Sequence, residues 1–525
     1  MPTQEMLDVT GFLGLSLRAG PELGLLALAC LTFLGGTFIR GRLLWGLVGV
    51  IGLGFAAGFS AIQSGPAFAP TRDFFCFDDV ASCVRLIVPI LGMLMLPILV
   101  AEVDDVRAAD IVGCTLCACA GVSLTSMAGD LILLFLGLEA VSIPTYVMLY
   151  LARHDRRGQE ATLKYFMLSV FSSALFLFGA SYLYGLTGQT RLTAVSSNGL
   201  SRGILELLAD PSSQRFDMPR TLAIALIFVI AGLGMKITAV PFHFYAPDVY
   251  QGTSPGMAGF LSWFPKAAGL IALVRVLGLA HGHGEPFGGM DGTLIWILAV
   301  VTMTLGNCLA IWQGNLRRML AYSGVAQGGY MLASLAVGPA THQHAGGVGP
   351  MLFYLAAYGI MSLGAFAIIA YLNDPEMPVE HIDDLAGLGS RAPIASWSLA
   401  ICLFGMLGLP LTVGFIAKAQ VLLATLVSPM AAGSSLIGIL GLLIVFNAAV
   451  GAWYYLGLVH RMFLRRPLGP QGKCGSKVQL ASGLVCAILT VLLGIVPSWL
   501  WQWTQIRQGG RVHAIVPAVT MVAKP

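Results

Sequence analysis

Runs of about twenty apolar residues, each long enough to cross a bilayer as one helix, follow one another along nearly the whole chain. We count fourteen, near 22–39, 43–62, 84–101, 111–128, 130–152, 161–187, 221–241, 255–278, 292–312, 319–338, 347–372, 393–426, 433–459 and 477–503. Two of them are irregular. Between Gly232 and Tyr250 the stretch GLGMKITAVPFHFYAPDVY carries Lys236, Pro241, His243 and Pro247. Each proline removes a backbone donor and frees a carbonyl upstream, so this segment predicts a helix interrupted over a polar cavity. The run 393–426 would be about 50 Å of helix, too long for one straight crossing. It contains Pro410 and predicts a second interrupted helix.

With 525 residues, 57% hydrophobic and 10% charged, composition excludes an ordinary soluble fold. The expected class is an all-α polytopic membrane protein whose surroundings are the lipid bilayer. A net charge of +4 without a long basic run argues against nucleic acid as a partner. Glu5 and Asp8 precede the first basic residue, Arg18, which does not suit a cleavable secretory signal, so the first span is expected to stay as an anchor. The short loops holding Arg40 and Arg42, Arg153, Arg156 and Arg157, Arg317 and Arg318, and Arg461, Arg465 and Arg466 all fall on one side. If that side is the cytoplasm, both termini and the long 188–220 connection are external. Trp499, Trp501 and Trp503 are expected to form an interfacial belt at the end of the last span.

Charge changes the picture more than composition does. Four of only seven lysines, Lys164, Lys236, Lys266 and Lys418, fall inside predicted spans, where a charge costs several kcal/mol unless it is paired or hydrated. Glu139 lies about 20 Å of helix from Arg153, near the bilayer centre. Any one of these lysines could snorkel or bind carbonyls freed by a helix break; for four of them with a deep glutamate, shared function is the simpler account. Burial favours a neutral amine and a nearby carboxylate favours a charged one. A carboxylate that moves or takes up a proton can therefore switch a lysine between holding and releasing one. His243 is a second-rank candidate for the same task. Asp248 is expected to cap an element or bind freed backbone groups, and Tyr250 to be interfacial. Lys164 is expected near Glu139 without direct contact.

Other chemistry is not visible. Cys114, Cys117 and Cys119 share one apolar span without histidine or carboxylate at ligand spacing, and read as small packed hydrophobes. Cys76 and Cys83 share a loop in which a disulfide is left open. No phosphate-binding glycine loop, dinucleotide fingerprint, nucleophile elbow or haem-type histidine pair occurs, so no metal or cofactor site is expected in this chain.

LEAVSIPTYVMLY, EATLKYFMLSVFSSALFLFGASYLYGLTG, GLGMKITAVPFHFYAPDVYQG, FPKAAGLIALVRV, NLRRMLAYSGVAQGGYML and LPLTVGFIAK together resemble subunit N of the proton-pumping NADH:quinone oxidoreductase, the bacterial complex I family. The likeness runs from about residue 110 to 465. It implies about fourteen transmembrane helices with two inverted five-helix repeats, each with one interrupted helix. The implied organisation is 1–110 for helices 1–3, 111–278 for the first repeat, 292–460 for the second, and 477–525 for a C-terminal helix and tail. It also implies that Glu139 and Lys236 form the charge pair of the first half-channel, modulated by Lys164, that Lys266 is the central relay, and that Lys418 ends the second half-channel. The implied setting is the bacterial inner (plasma) membrane, beside other antiporter-like and small membrane subunits. Quinone reduction elsewhere would drive proton transfer, with NADH, FMN, iron–sulfur clusters and quinone all in other subunits.

Two departures stand out. Gln327 replaces a usual histidine, and Gly252 to Gly256, GTSPG, replaces a GAPTP turn. A glutamine can order water but cannot store a proton; Ser323 or water would have to serve there. Competing readings are a subunit of a sodium/proton antiporter or membrane-bound hydrogenase, and a scaffold whose lysines only satisfy broken helices.

Overall fold

In lipid every backbone N–H at a helix start needs an acceptor, and the chain supplies them from its own loops. Asp78, Asp130, Asp155, Ser254, Asn315 and Ser476 each accept a backbone N–H in the first turn of the helix that follows. The computed structural model describes residues 18–64, 71–72, 75–153, 155–193, 203–209, 218–279, 290–338, 346–374, 378–427, 435–467 and 475–505.

Helices in chain order are α1 (Gly20–Gly36), α2 (Arg42–Gln63), α3 (Asp79–Ala101), α4 (Ala108–Met127), α5 (Leu131–Ala152), α6 (Arg156–Thr187), α7 (Ile204–Ala209), α8 (Met218–Ile237), α9 (Ala246–Gly252) and α10 (Pro255–Val276). They continue as α11 (Met290–Ile311), α12 (Leu316–Leu335), α13 (Val348–Leu372), α14 (Leu388–Arg391), α15 (Pro393–Leu407), α16 (Val413–Val427), α17 (Ser435–Leu464), α18 (Lys477–Ile495) and α19 (Ser498–Thr504). Two-residue strands at Thr71–Arg72 and Cys76–Phe77 form one small hairpin. Eleven of the described helices are long and apolar enough to cross a membrane. With α1, the more polar α12 and the pair α15–α16, every expected span is accounted for.

Both irregular spans are broken. α8 stops at Ile237 and the chain resumes as α9 at Ala246, with Thr238 at φ +64°. α15 stops at Leu407 and α16 begins at Val413, with Gly408 at φ +88° and Leu411 at +72°. The last span ends earlier than its apolar run: Pro497 starts the separate α19, which carries Trp499, Trp501 and Trp503, all exposed.

α10 and α13 are buried along their whole span windows and every other layer is built around them. Ser262 and Ser362 join them at 2.6 Å, and the Trp263 indole donates to the Leu355 carbonyl at 2.8 Å. α3 holds α10 at both ends. Arg275, near the C-terminus of α10, makes a bidentate pair with Asp78 at 2.5 and 2.7 Å. Glu102, just beyond α3, accepts from Ser254 at 2.6 Å and from the Gly256 N–H at 2.8 Å at the α10 start. A second buried pair, Arg85 with Glu22 at 2.7 Å, ties α3 to α1. The short-loop arginines gather at one end of the molecule, where Arg317 and Arg157 each reach Glu380 at 3.5 Å and Arg461 and Arg465 share Asp383.

Cys76 and Cys83 are both buried and are not joined to each other, so the disulfide left open by the sequence is not formed. Tyr250 is buried against Phe366 instead of lying at an interface. Removing one partner of a buried ion pair typically costs about 3–5 kcal/mol. Asp78→Ala is therefore expected to lower the thermal stability of the solubilised protein by about that amount, and Asp78→Ala with Arg275→Met to recover most of it.

Candidate functional site

Lys236 lies in the last turn of α8 and is 6% exposed. Its ammonium donates to Ser142 Oγ of α5 and Ser169 Oγ of α6, both at 2.6 Å. Glu139, one turn before Ser142 on α5, accepts instead from Ser173, one turn beyond Ser169 on α6. Glu139 and Lys236 thus share the α5–α6 space but make no ion pair; three serines stand around and between them. The stem of Lys236 packs on Gly269 of α10, where a Cβ would come within 3.0 Å of the lysine Cβ.

Lys266, one turn earlier on α10, is 1% exposed. Its ammonium donates to the Gly324 carbonyl of α12 at 2.6 Å and sits 5.6 Å from the Tyr358 ring centre. That carbonyl already belongs to a helix, so the lysine uses its second lone pair. Only glycine fits beside the ammonium, since a Cβ at 324 would lie 2.9 Å from Lys266 Nζ.

Lys418 of α16 reaches back to the broken end of α15, donating to the Met406 and Leu407 carbonyls at 2.9 and 2.7 Å, with the Tyr330 ring centre 5.1 Å away. Those carbonyls are free because Gly408 turns the chain out of the helix. Gln327 shares the Met406 carbonyl at 3.2 Å, donates to Tyr455 at 3.2 Å and accepts from Tyr354. Tyr455 in turn donates to Ser323 at 2.9 Å, the residue next to Gly324. Among the described residues no carboxylate contacts Lys236, Lys266 or Lys418.

A family described as NADH:quinone oxidoreductase/Mrp antiporter, TM, matches residues 128–444. NADH-quinone oxidoreductase subunit N 1 of Solibacter usitatus is 34% identical over 467 residues, 87% of this chain and 90% of that protein. The chain belongs to the NADH-quinone oxidoreductase subunit N family. Subunit N of Trichlorobacter lovleyi is 33% identical over 92% of this chain and 95% of its own length. A chain of the respiratory complex I from Thermus thermophilus with bound aureothin superposes with a TM-score of 0.73 at 26% identity, covering 92% of this chain and 98% of that one. A chain of the Mrp complex from Dietzia superposes at 0.76 with 18% identity, over 93% and 96% of the two chains, and shows the shared fold.

In this member of the subunit N family Lys164 stands apart from the other lysines. It is 39% exposed at the arginine-rich end, paired with Glu160 at 2.7 Å and Asp248 at 2.8 Å. Asp248 also binds Arg318 at 2.5 Å, so it bridges two cations instead of capping backbone. Lys164, Glu160 and Asp248 line an open pocket of about 240 Å³ with Arg157 and Gln251. His243 lies in the α8–α9 break beside Tyr322, with its Nδ1 unpartnered.

The sequence reading missed Ser142, Ser169, Ser173, Tyr455 and Glu102. Serines four apart on α6 and one turn from Glu139 on α5 were visible signals, but their facing partners depend on helix rotation. Glu102 is a different case, because it follows the span directly. Burial pushes its carboxyl up to about 7, opposed by the Ser254 and Gly256 hydrogen bonds and by Arg317. The unfolded chain ionises this group at about 4.3, so the folded state binds the extra proton and its stability falls as pH rises from there through about 7. Glu102→Gln removes that slope. Thermal melts of the solubilised protein should show the variant gaining on wild type between about pH 5 and about pH 8.

Proposed function

We propose that this chain is a proton-translocating membrane subunit of an NADH-quinone oxidoreductase, carrying protons along buried lysines, Glu139 and water. The observation that carries this reading is that three lysines reach the protein interior with only hydroxyls, carbonyls and ring faces around their ammonium groups. A charge kept without a counter-ion in a low-dielectric site is costly, and neutral acceptors leave the proton free to depart where a tight carboxylate pair would hold it. The proposed order is Glu139 and Lys236 in the first half, Lys266 as the central station and Lys418 in the second half. Residues 111–278 and 292–460 serve as the two repeats.

Each step has a physical link. α10 joins the first two lysines, because Gly269 packs on the Lys236 stem one turn from Lys266. α12 joins the next two, because Gly324 receives Lys266 while Gln327 shares an acceptor with Lys418. His243 is a further proton carrier in the first break, and Lys164 modulates the first half from the arginine-rich end. In this reading the arginine-rich loops face the cytoplasm and both termini lie outside the inner (plasma) membrane. NADH, FMN, iron–sulfur and quinone chemistry belongs to other subunits, and neighbouring antiporter-like and small membrane subunits flank the chain.

Lys236→Ala and Glu139→Ala are expected to leave assembly intact and to abolish most NADH-driven proton uptake in inverted membrane vesicles; normal uptake in both assembled variants would sink the reading. Gly324→Ala tests the central station separately. Its Cβ meets only side-chain tips, Lys266 Nζ and Tyr358 Oη, so the ammonium must leave its carbonyl while the helices stay packed. Gly306→Ala meets the Ala326 backbone N at 2.6 Å and should cost about 1–3 kcal/mol by overpacking. Proton uptake is expected to fall more in Gly324→Ala, and the melting temperature more in Gly306→Ala.

A further inference from the structure

The α5–α6 space contains more hydroxyls than lysine solvation requires. Ser142 accepts from Lys236 and commits its own hydrogen to the Leu138 carbonyl at 2.8 Å. Ser169 accepts from Lys236. Ser173 already points its hydrogen at Glu139. Ser169 and Ser173 are four apart on α6, which places their Cβ atoms about 5–6 Å apart, the distance one water spans with two hydrogen bonds of about 2.8 Å. The Tyr146 hydroxyl, one turn beyond Ser142 on α5, is buried beside Ser142 and Ser169. Ordered water is the usual further partner of such buried hydroxyls.

We propose that Ser169 and Ser173 are proton-relay residues joining Lys236 to Glu139 through one water, with Ser142 as the hydroxyl that positions the ammonium. The proposal rests on the proton-translocating function above and deepens it. Lys236 gives a proton to Ser169 Oγ as the Ser169 hydrogen passes to the water. The water gives one of its own to Ser173, and the Ser173 hydrogen passes to the Glu139 carboxylate. Lysine ends neutral, Glu139 ends protonated, and each hydroxyl keeps one hydrogen but points the other way, so both must rotate before the next transfer. A direct ion pair would need no serine; this geometry needs two.

The test uses the assembled complex in proteoliposomes, with NADH-driven proton uptake followed in water and in heavy water. Ser169→Ala and Ser173→Ala are each expected to lower coupled uptake about a hundredfold, the low end of what a positioned proton-transfer group contributes. The solvent isotope effect should rise above that of wild type, because proton transfer becomes limiting. Ser169→Thr keeps the hydroxyl and should restore most of the rate. A packing role would lower the rate without changing the isotope effect, and that result overturns the proposal. So does wild-type uptake in both alanine variants while Lys236→Ala fails to pump. If Lys236→Ala also pumps normally, the translocation reading itself falls.

Discussion

The structure depends on how it separates two kinds of buried positive charge. Permanent ones are guanidinium groups, and each deep one has a carboxylate: Arg275 with Asp78 and Arg85 with Glu22. Exchangeable ones are lysines, and their partners are neutral. A paired guanidinium holds helices in register and cannot give up its proton. A lysine on hydroxyls and carbonyls has no such lock. The same physics that makes a buried charge costly thus builds the frame with one residue type and, in the proposed relay, leaves the path open with the other.

Neutral acceptors have to come from somewhere, and in lipid a helix normally consumes all of its carbonyls. The two breaks solve this differently. At α15–α16 the turn at Gly408 frees the carbonyls of Met406 and Leu407, and Lys418 uses both. At α8–α9 the lysine precedes the break, so it turns to serines on neighbouring helices, while the Met235 carbonyl accepts both the Thr238 N–H at 3.1 Å and the Tyr245 hydroxyl at 2.9 Å. Lys266 has no break at all and relies on Gly324, where the missing side chain lets an ammonium reach the backbone. Three lysines are solvated by three different local devices, all converging on α10 and α12.

Much of the fold was legible in the amino-acid order because lipid enforces a coarse rule: long apolar runs become helices, and prolines with a lysine inside one mark a break. The costly residues were legible for the same reason, since nothing in a quiet span accounts for Lys236, Lys266 or Lys418. Partners were not legible. Whether Glu139 meets Lys236 or Ser173 depends on the rotation of α5 and α6 by a fraction of a turn, and a sequence carries no direct record of that angle. Asp248 illustrates the point: next to Pro247 it reads as a cap, yet three-dimensional packing brings Lys164 and Arg318 from other helices to its carboxylate. Tyr250 was misread because α9 turns it inward toward α13.

Gln327 shows how the second half differs from the first. An imidazole there could take up a proton; the amide instead has both ends occupied, its nitrogen on Met406 and Tyr455 and its oxygen on Tyr354. It therefore works as a fixed spacer. By sharing the Met406 carbonyl with Lys418 it ties the terminal lysine to α12, and by donating to Tyr455 it aims that hydroxyl at Ser323, beside the carbonyl that receives Lys266. In the proposed relay the first half joins its charges by small hydroxyls; the second joins them by a packed amide and tyrosines. Movement of α12 against α15 would break or restore that second link as a unit, so in the proposed relay the coupling between Lys266 and Lys418 depends on helix packing rather than on the titration of any group at position 327.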